Sequence, residues 1–232
     1  MELLIDREFD ANGQLSEEES RHCVKVMRHR EGDEVYVTDG RGALYTCHIV
    51  KADARGCQLA IDKREERQQR HYLHMAVAPT KNTDRFEWFV EKAVEMGVSR
   101  ITPIICRHSE RTNLRIDRLE RLAHAAAKQS LKCILPQIDE PTNITDIINQ
   151  TSVNQRYILH CKDAEKPHLF NAATQKGSST IILIGPEGDF SDEEIALAVE
   201  HSFTAASLGP ERLRTETAAM TACHIINLRQ DI

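Results

Sequence analysis

The pattern of apolar and polar positions changes character near residue 70. Before it, apolar residues fall in short alternating runs. "EVYVTDGRGALYTCHIV", residues 34–50, predicts two strands joined at Asp39-Gly40-Arg41-Gly42, because glycine tolerates the positive φ of a tight hairpin turn. "CQLAID" predicts a third strand. Upstream, "EEESRHCVKVMRH" sets Cys23, Val24 and Met27 at helical spacing, with Gly32 as the stop. "KREERQQR", Lys63 to Arg70, has no apolar residue and reads as an exposed linker, so a domain boundary is expected there, giving units 1–70 and 71–232.

After the boundary, strands alternate with helices. "YLHMAVAP", "RITPII", "RYILHC", "TIILIG" and "TAASLG" read as strands, and "DRFEWFVEKAVEMG" and "DRLERLAHAAAKQS" as helices. Phe86, Phe89, Val90, Ala93 and Val94 form one apolar face, and Gly97 is placed to end that helix. This is the signature of an α/β domain with a mostly parallel sheet, in which ligands bind beyond the carboxyl ends of the strands.

Two loops after strands stand out. "IGPEGDFSDEE" leads into a helix through Ser191 and Glu194, spaced as a capping box. Neither G-x-G-x-x-G nor a P-loop motif is present, and acidic side chains at the mouth would repel a pyrophosphate, which argues against a nicotinamide-dependent oxidoreductase. "SLGPERLRTETAAMTACHII" has the same layout, with Thr215 as the expected N-cap. The small residues Ala218, Ala219 and Ala222 imply a helix packed closely against a neighbour. Arg212 and Arg214 at a helix start oppose the helix dipole, which suggests an anion or a partner carboxylate nearby.

Charge is distributed unevenly. The chain has a net charge of -6, and residues 181–200 alone carry six acids and no Lys or Arg, so the remainder is neutral. Residues 107–132 and 21–30 are each basic by four charges, two patches able to meet a polyanion. The seven cysteines form no CxxC pair, and the acidic start "MELLIDREFD" lacks the features of a signal peptide. A cytoplasmic protein with free thiols is expected, with no membrane span. His71 and His74 lie in an apolar run without nearby Cys or acidic ligands and are read as structural, so no metal is expected.

Taken together, "LIGPEGDFSDEE" and "SLGPERLRTETAAMTA" resemble the carboxyl-terminal signature of the 16S ribosomal RNA uridine-N3 methyltransferases, a branch of the SPOUT superfamily. The resemblance extends through "KNTDRFEWFVEKAVEMGVSRITPI", "AAAKQSLKCILPQI" and "HCVKVMRHREGDEVYVTDGRG", nearly the whole chain in order. It implies a PUA-like β-barrel at the amino end, a SPOUT α/β domain with a carboxyl-terminal trefoil knot, and a homodimer. S-adenosylmethionine would be the cofactor, held by Leu159, His160, Gly185, Pro186, Glu187, Gly188, Leu208, Gly209, Leu213, Thr215 and Thr217. A sulfonium cation suits an acidic loop where a phosphate does not. Arg214 would stabilise the anion forming on the uracil, and Glu216 or an ordered water would take its proton. Arg21, Lys25, Arg28 and Arg41, with Lys81, Arg85, Arg107 and Arg111, would hold small-subunit ribosomal RNA or the 30S subunit. The family loop usually reads G-P-E-G-G-F, whereas this chain has Asp189 at the second of those adjacent glycines. It also has Glu211 and Arg212 where the family has an arginine and an aliphatic residue. A non-catalytic RNA-binding protein on the same scaffold, and a SPOUT enzyme acting on another base or a ribose, remain open at this point.

Overall fold

The computed structural model describes residues 2–173 and 176–231. The chain forms two compact units: Met1–Gln69 with His124–Leu135, and Arg70–Ala123 with Pro136–Ile232.

The first unit is built on a four-stranded sheet, β1 (Leu3–Ile5), β2 (Glu34–Thr38), β3 (Ala43–Lys51) and β4 (Gln58–Glu66), in that order. β1 runs parallel to β2, and the other pairs are antiparallel. The hairpin turns at residues 39–42, with Gly40 at φ +73° and Gly42 at +125°. Helix α1 (Glu17–Arg21) continues into a single π-helical turn, His22–Val26. Its Cys23 is buried with Phe9, Tyr45, Cys47 and Cys57, while Val24 and Met27 pack against the same cluster. The helix stops before Gly32, because Arg28 itself takes a left-handed conformation at φ +62°.

Two expectations need correction here. Lys63–Glu66 is not a linker. It completes β4, pairing with Ala43–Thr46, and its two basic residues satisfy the two acids that follow through Arg64–Glu66 and Lys63–Glu65. A charged strand of this kind defends a sheet edge. The unit is also discontinuous in sequence: the Gly42 amide donates to the Cys133 carbonyl and the Leu135 amide to that of Gly40, both through the hairpin turn. Glu19 is paired with Lys128 in the same unit. Separation along the chain hid this pairing.

The second unit contains β5 (Leu73–Val77), α2 (Thr83–Met96), β6 (Arg100–Ile105), the start of α3 (Ile116–Gln129), β7 (Gln137–Ile138), β8 (Thr142–Asn143), α4 (Ile144–Gln150), β9 (Gln155–Leu159), α5 (Leu169–Ala172), β10 (Thr180–Ile184), α6 (Asp192–Glu200), β11 (Thr204–Ala206) and α7 (Thr215–Asp231). Its strands are parallel and ordered β11-β9-β10-β5-β6-β7, with β8 also on β6. β10 is buried on both faces, as an unbroken Ile/Leu run requires. Ile181 and Leu183 meet Phe190, Ala198 and Ile148 on one side. On the other, α2 packs on α7, and α7 on β5 and β10. Ala219, Ala222 and Cys223 are fully buried, so the small residues allow close approach. Gly97 ends α2 in the left-handed conformation. No helix among the described residues is long and apolar enough to cross a membrane.

Candidate active site at the carboxyl ends of the strands

β9, β10 and β11 lie side by side and parallel, so the loops that follow them emerge at one edge of the sheet. The segment Cys161–Pro167 follows β9, 185–191 follows β10, and 207–214 follows β11. The first and last are joined by backbone: Ser207 donates to the Pro167 carbonyl, and Leu169 to that of Ser207. Between them is a cavity of about 710 Å³, lined by Leu159–Ala164, Lys166, Asp189, Ala206–Leu213 and Ala218. Leu159, Ala206, Leu208, Leu213 and Ala218 provide an apolar wall, whereas Asp163, Asp189 and Glu211 face the same space as Lys162, Lys166 and Arg212. The charge of the cavity is therefore mixed, rather than acidic as the loop sequence suggested.

The loop after β9 is held by a lysine. Lys166 Nζ donates to the carbonyls of His160 and Lys162 at 2.8 and 2.6 Å and lies 3.3 Å from His160 Nδ1. Burial, then the Lys166 charge, holds the His160 imidazole below its ordinary pKa, so the ring is neutral and Nδ1 can accept from the lysine. Lys162 in turn pairs with Asp192 at the start of α6, and that contact lowers the Asp192 carboxyl.

Asp189 resolves the departure from the family loop. Its φ is +61°, the conformation in which glycine would be favoured. Its own side chain stabilises that turn, with Oδ1 accepting from the Phe190 amide and Oδ2 from the Cys161 amide, each at 2.8 Å. A non-glycine residue loses about 1–2 kcal/mol in this conformation. Hydrogen bonds to a carboxylate each contribute about 1.5–3 kcal/mol, enough to offset it. His108 Nδ1 completes the arrangement at 3.0 Å from the Asp189 carbonyl oxygen. At Gly188 a Cβ would sit 3.0 Å from the His108 Cβ, a tight contact that would push the histidine by a few tenths of an ångström. At Gly209, by contrast, there is room for a side chain, and the backbone φ of +120° is what favours glycine.

Of the residues expected to hold a cofactor, Leu159, His160, Leu208, Gly209 and Leu213 border the cavity. Gly185, Pro186, Glu187, Gly188, Thr215 and Thr217 do not. Glu187 is exposed, and its Oε1 accepts from the Lys81 amide at 2.9 Å, tying the loop after β10 to the loop after β5. Thr215 is not the N-cap. It is the first helical residue of α7, and its hydroxyl donates to the buried Gly185 carbonyl at 3.2 Å. The carbonyl of Arg214 accepts the first helical bond, from Ala218, at 2.8 Å. Arg214 is exposed beside the cavity residue Leu213. Glu216 is buried, with Arg85 Nε 4.0 Å from its carboxylate, and does not reach the cavity.

Sequence reading stopped at His160 and so missed Cys161–Ala164 and Lys166. Their one signal is position, a polar segment directly after a buried strand. His74 lies at the other end of the sheet strands, with Nε2 2.7 Å from the Thr102 hydroxyl, which donates to Asp139.

The basic residues expected to meet RNA divide by unit. Arg21, Lys25, Arg28 and Arg41 are exposed and make no ion pair among the described residues. Lys81 pairs with Glu110, Arg107 with Glu193 and Arg85 with Glu216, while Arg111 Nε donates to the Lys81 carbonyl. The exposed pairs are worth only about 0–1 kcal/mol each.

The fold has close relatives. Residues 66–227 match the family model of an RNA methyltransferase domain, and residues 15–62 that of an RNA methyltransferase PUA domain. A probable rRNA-methyltransferase from Porphyromonas gingivalis superposes with a TM-score of 0.91 at 36% identity, covering 100% of this chain and 99% of that one. A methyltransferase from Legionella pneumophila, solved in complex with the bound cofactor SAM, gives a TM-score of 0.82 at 25% identity over 97% and 96% of the two chains. Ribosomal RNA small subunit methyltransferase E of Bacillus subtilis is 25% identical over 94% of this chain and 90% of its own length. The chain belongs to the RNA methyltransferase family, with that family's PUA domain at its amino end.

Proposed function

We propose that this protein transfers a methyl group from S-adenosylmethionine to N3 of a uridine in small-subunit (16S) ribosomal RNA. The observation that carries the reading is the cavity at the carboxyl ends of β9 and β11, in the domain that makes the chain an RNA methyltransferase. Its volume of about 710 Å³ is of the size that takes a cofactor of this kind. The apolar wall suits an adenine ring, and the lining carries both signs of charge, as a ligand with a sulfonium, an amino group and a carboxylate requires. The Legionella relative with bound SAM and the name of the Bacillus relative support donor and acceptor respectively.

When bound, S-adenosylmethionine supplies an electrophilic methyl group. Leu159, His160, Leu208, Gly209 and Leu213 would hold it, and the bond from Thr215 to the Gly185 carbonyl would fix the start of α7 to the loop after β10. Uracil N3 carries a proton that must leave before or during attack, and negative charge then spreads onto the ring oxygens. Arg214, exposed next to the cavity, stabilises that charge. The N3 proton goes to Glu216 or to water, and the burial of Glu216 against Arg85 favours water as the immediate acceptor. Much of the rate comes from orientation of the two reactants.

N3 lies on the pairing edge, so the target uridine is unpaired or flipped out when it reacts. The amino-terminal unit holds the surrounding RNA through Arg21, Lys25, Arg28 and Arg41, and Lys81, Arg85, Arg107 and Arg111 contribute from the methyltransferase unit. The substrate is the free RNA or the assembled 30S subunit, in the cytoplasm. A trefoil knot at the carboxyl end and a homodimer belong to the same reading, following the superfamily resemblance. Titration calorimetry with S-adenosylmethionine tests it: binding with one site per chain is expected, and no heat would remove the enzyme reading.

A further inference from the structure

Asp189 stands in a backbone conformation that favours glycine, at φ +61°, and its carboxylate joins two separate loops. One oxygen holds the Phe190 amide within its own turn, and the other holds the Cys161 amide in the segment after β9. A further side-chain link from the segment after β9, Lys162 to Asp192 at the start of α6, is open to solvent, with the Asp192 side chain 86% exposed. Asp189 and Cys161 both line the cavity. The bond between them therefore sets the spacing of two of its walls.

We propose that Asp189 is a positioning residue for the methyl donor, its carboxylate pinning the wall after β9 to the turn after β10 so that the cavity is formed before the cofactor arrives. The proposal rests on the S-adenosylmethionine reading given above. Glycine at this position satisfies the backbone but releases the Cys161 amide. Asparagine tolerates the same φ, yet has one acceptor oxygen for two amides. A residue that only stabilised the turn would not matter to the cofactor once glycine relieved the strain.

The test uses Asp189→Gly and Asp189→Asn in the full chain, with two readouts. Cys161 is the exposed cysteine among the described residues, so its alkylation by iodoacetamide, mapped by mass spectrometry without cofactor, reports the order of the wall. Expected for Asp189→Gly are labelling of Cys161 accelerated about fivefold or more, a S-adenosylmethionine Kd about tenfold weaker, and a raised KM for the cofactor with kcat nearly unchanged; Asp189→Asn should fall between. Labelling within twofold of the unsubstituted protein overturns the bridge, and faster labelling with unchanged cofactor binding overturns the positioning role. If the glycine variant fails to fold, the asparagine variant decides by the same criteria. Should the unsubstituted protein bind no S-adenosylmethionine, the methyl-donor reading and the positioning role fall together, whereas the labelling result separately shows whether the bridge exists.

Discussion

The hydroxyl of Thr215 donates to the carbonyl oxygen of Gly185, fixing the first residue of α7 to the loop after β10. The contact is buried, so removing the donor strands a carbonyl. Thr215→Val keeps the shape and should cost about 1–3 kcal/mol. Thermal unfolding should record this as a drop of several degrees. An unchanged melting temperature would show that the carbonyl finds another partner.

Arg214 is exposed one residue earlier, where the chain leaves the cavity wall. Arg214→Ala should fold normally and bind S-adenosylmethionine with little change, while kcat for methyl transfer falls by about 100-fold or more, as expected for loss of one charge-stabilising donor. Circular dichroism and single-turnover kinetics separate these effects. Unchanged turnover would remove Arg214 from the mechanism.

His74 makes stability depend on pH. Burial, reinforced by the Arg100 charge and opposed by Asp139, lowers its pKa from 6.5 to about 4. Between these values the unfolded chain binds more protons than the folded one, so stability falls as pH drops from 6.5 towards 4 and is not affected by this group above that window. The loss should reach roughly 2 kcal/mol by pH 5. Urea unfolding at pH 7 and pH 5 measures it, and His74→Asn should flatten the difference. An equally steep dependence in the variant would assign it to other groups.

Arg21, Lys25 and Arg28 are exposed in the first unit and make no ion pair among the described residues. Their joint replacement by Ala should weaken RNA binding and reduce the salt dependence of log K by up to about 0.7–0.9 per lost phosphate contact. Cofactor affinity should not change. Filter binding across a salt series checks this, and an unaltered slope would place the RNA elsewhere.

The parallel sheet could be read from the sequence because strand and helix patterns alternate, α2 because its apolar face is long and regular, and α7 because it is a long alanine-rich run. β1, α4 and α5 could not, since three to seven residues give little periodicity. The strand at Lys63–Glu66 was hidden because edge pairing is made by backbone, whatever the side chains. Separation along the chain concealed the return of residues 124–135 to the first unit. At the site, glycines marked the loops after β10 and β11 but not which side chains faced the cavity. Glu187 reaches to the Lys81 amide, while Asp189 faces the cavity through a left-handed turn that its own carboxylate holds in place. No local motif records that choice.

The most direct measurement is to incubate the purified protein with small-subunit particles from a methylation-deficient strain and S-adenosylmethionine labelled in the methyl group, then map the labelled nucleotide. Label at N3 of a single uridine is the predicted result. Label on a ribose or another base, or no transfer to either particles or free 16S RNA, would contradict the account.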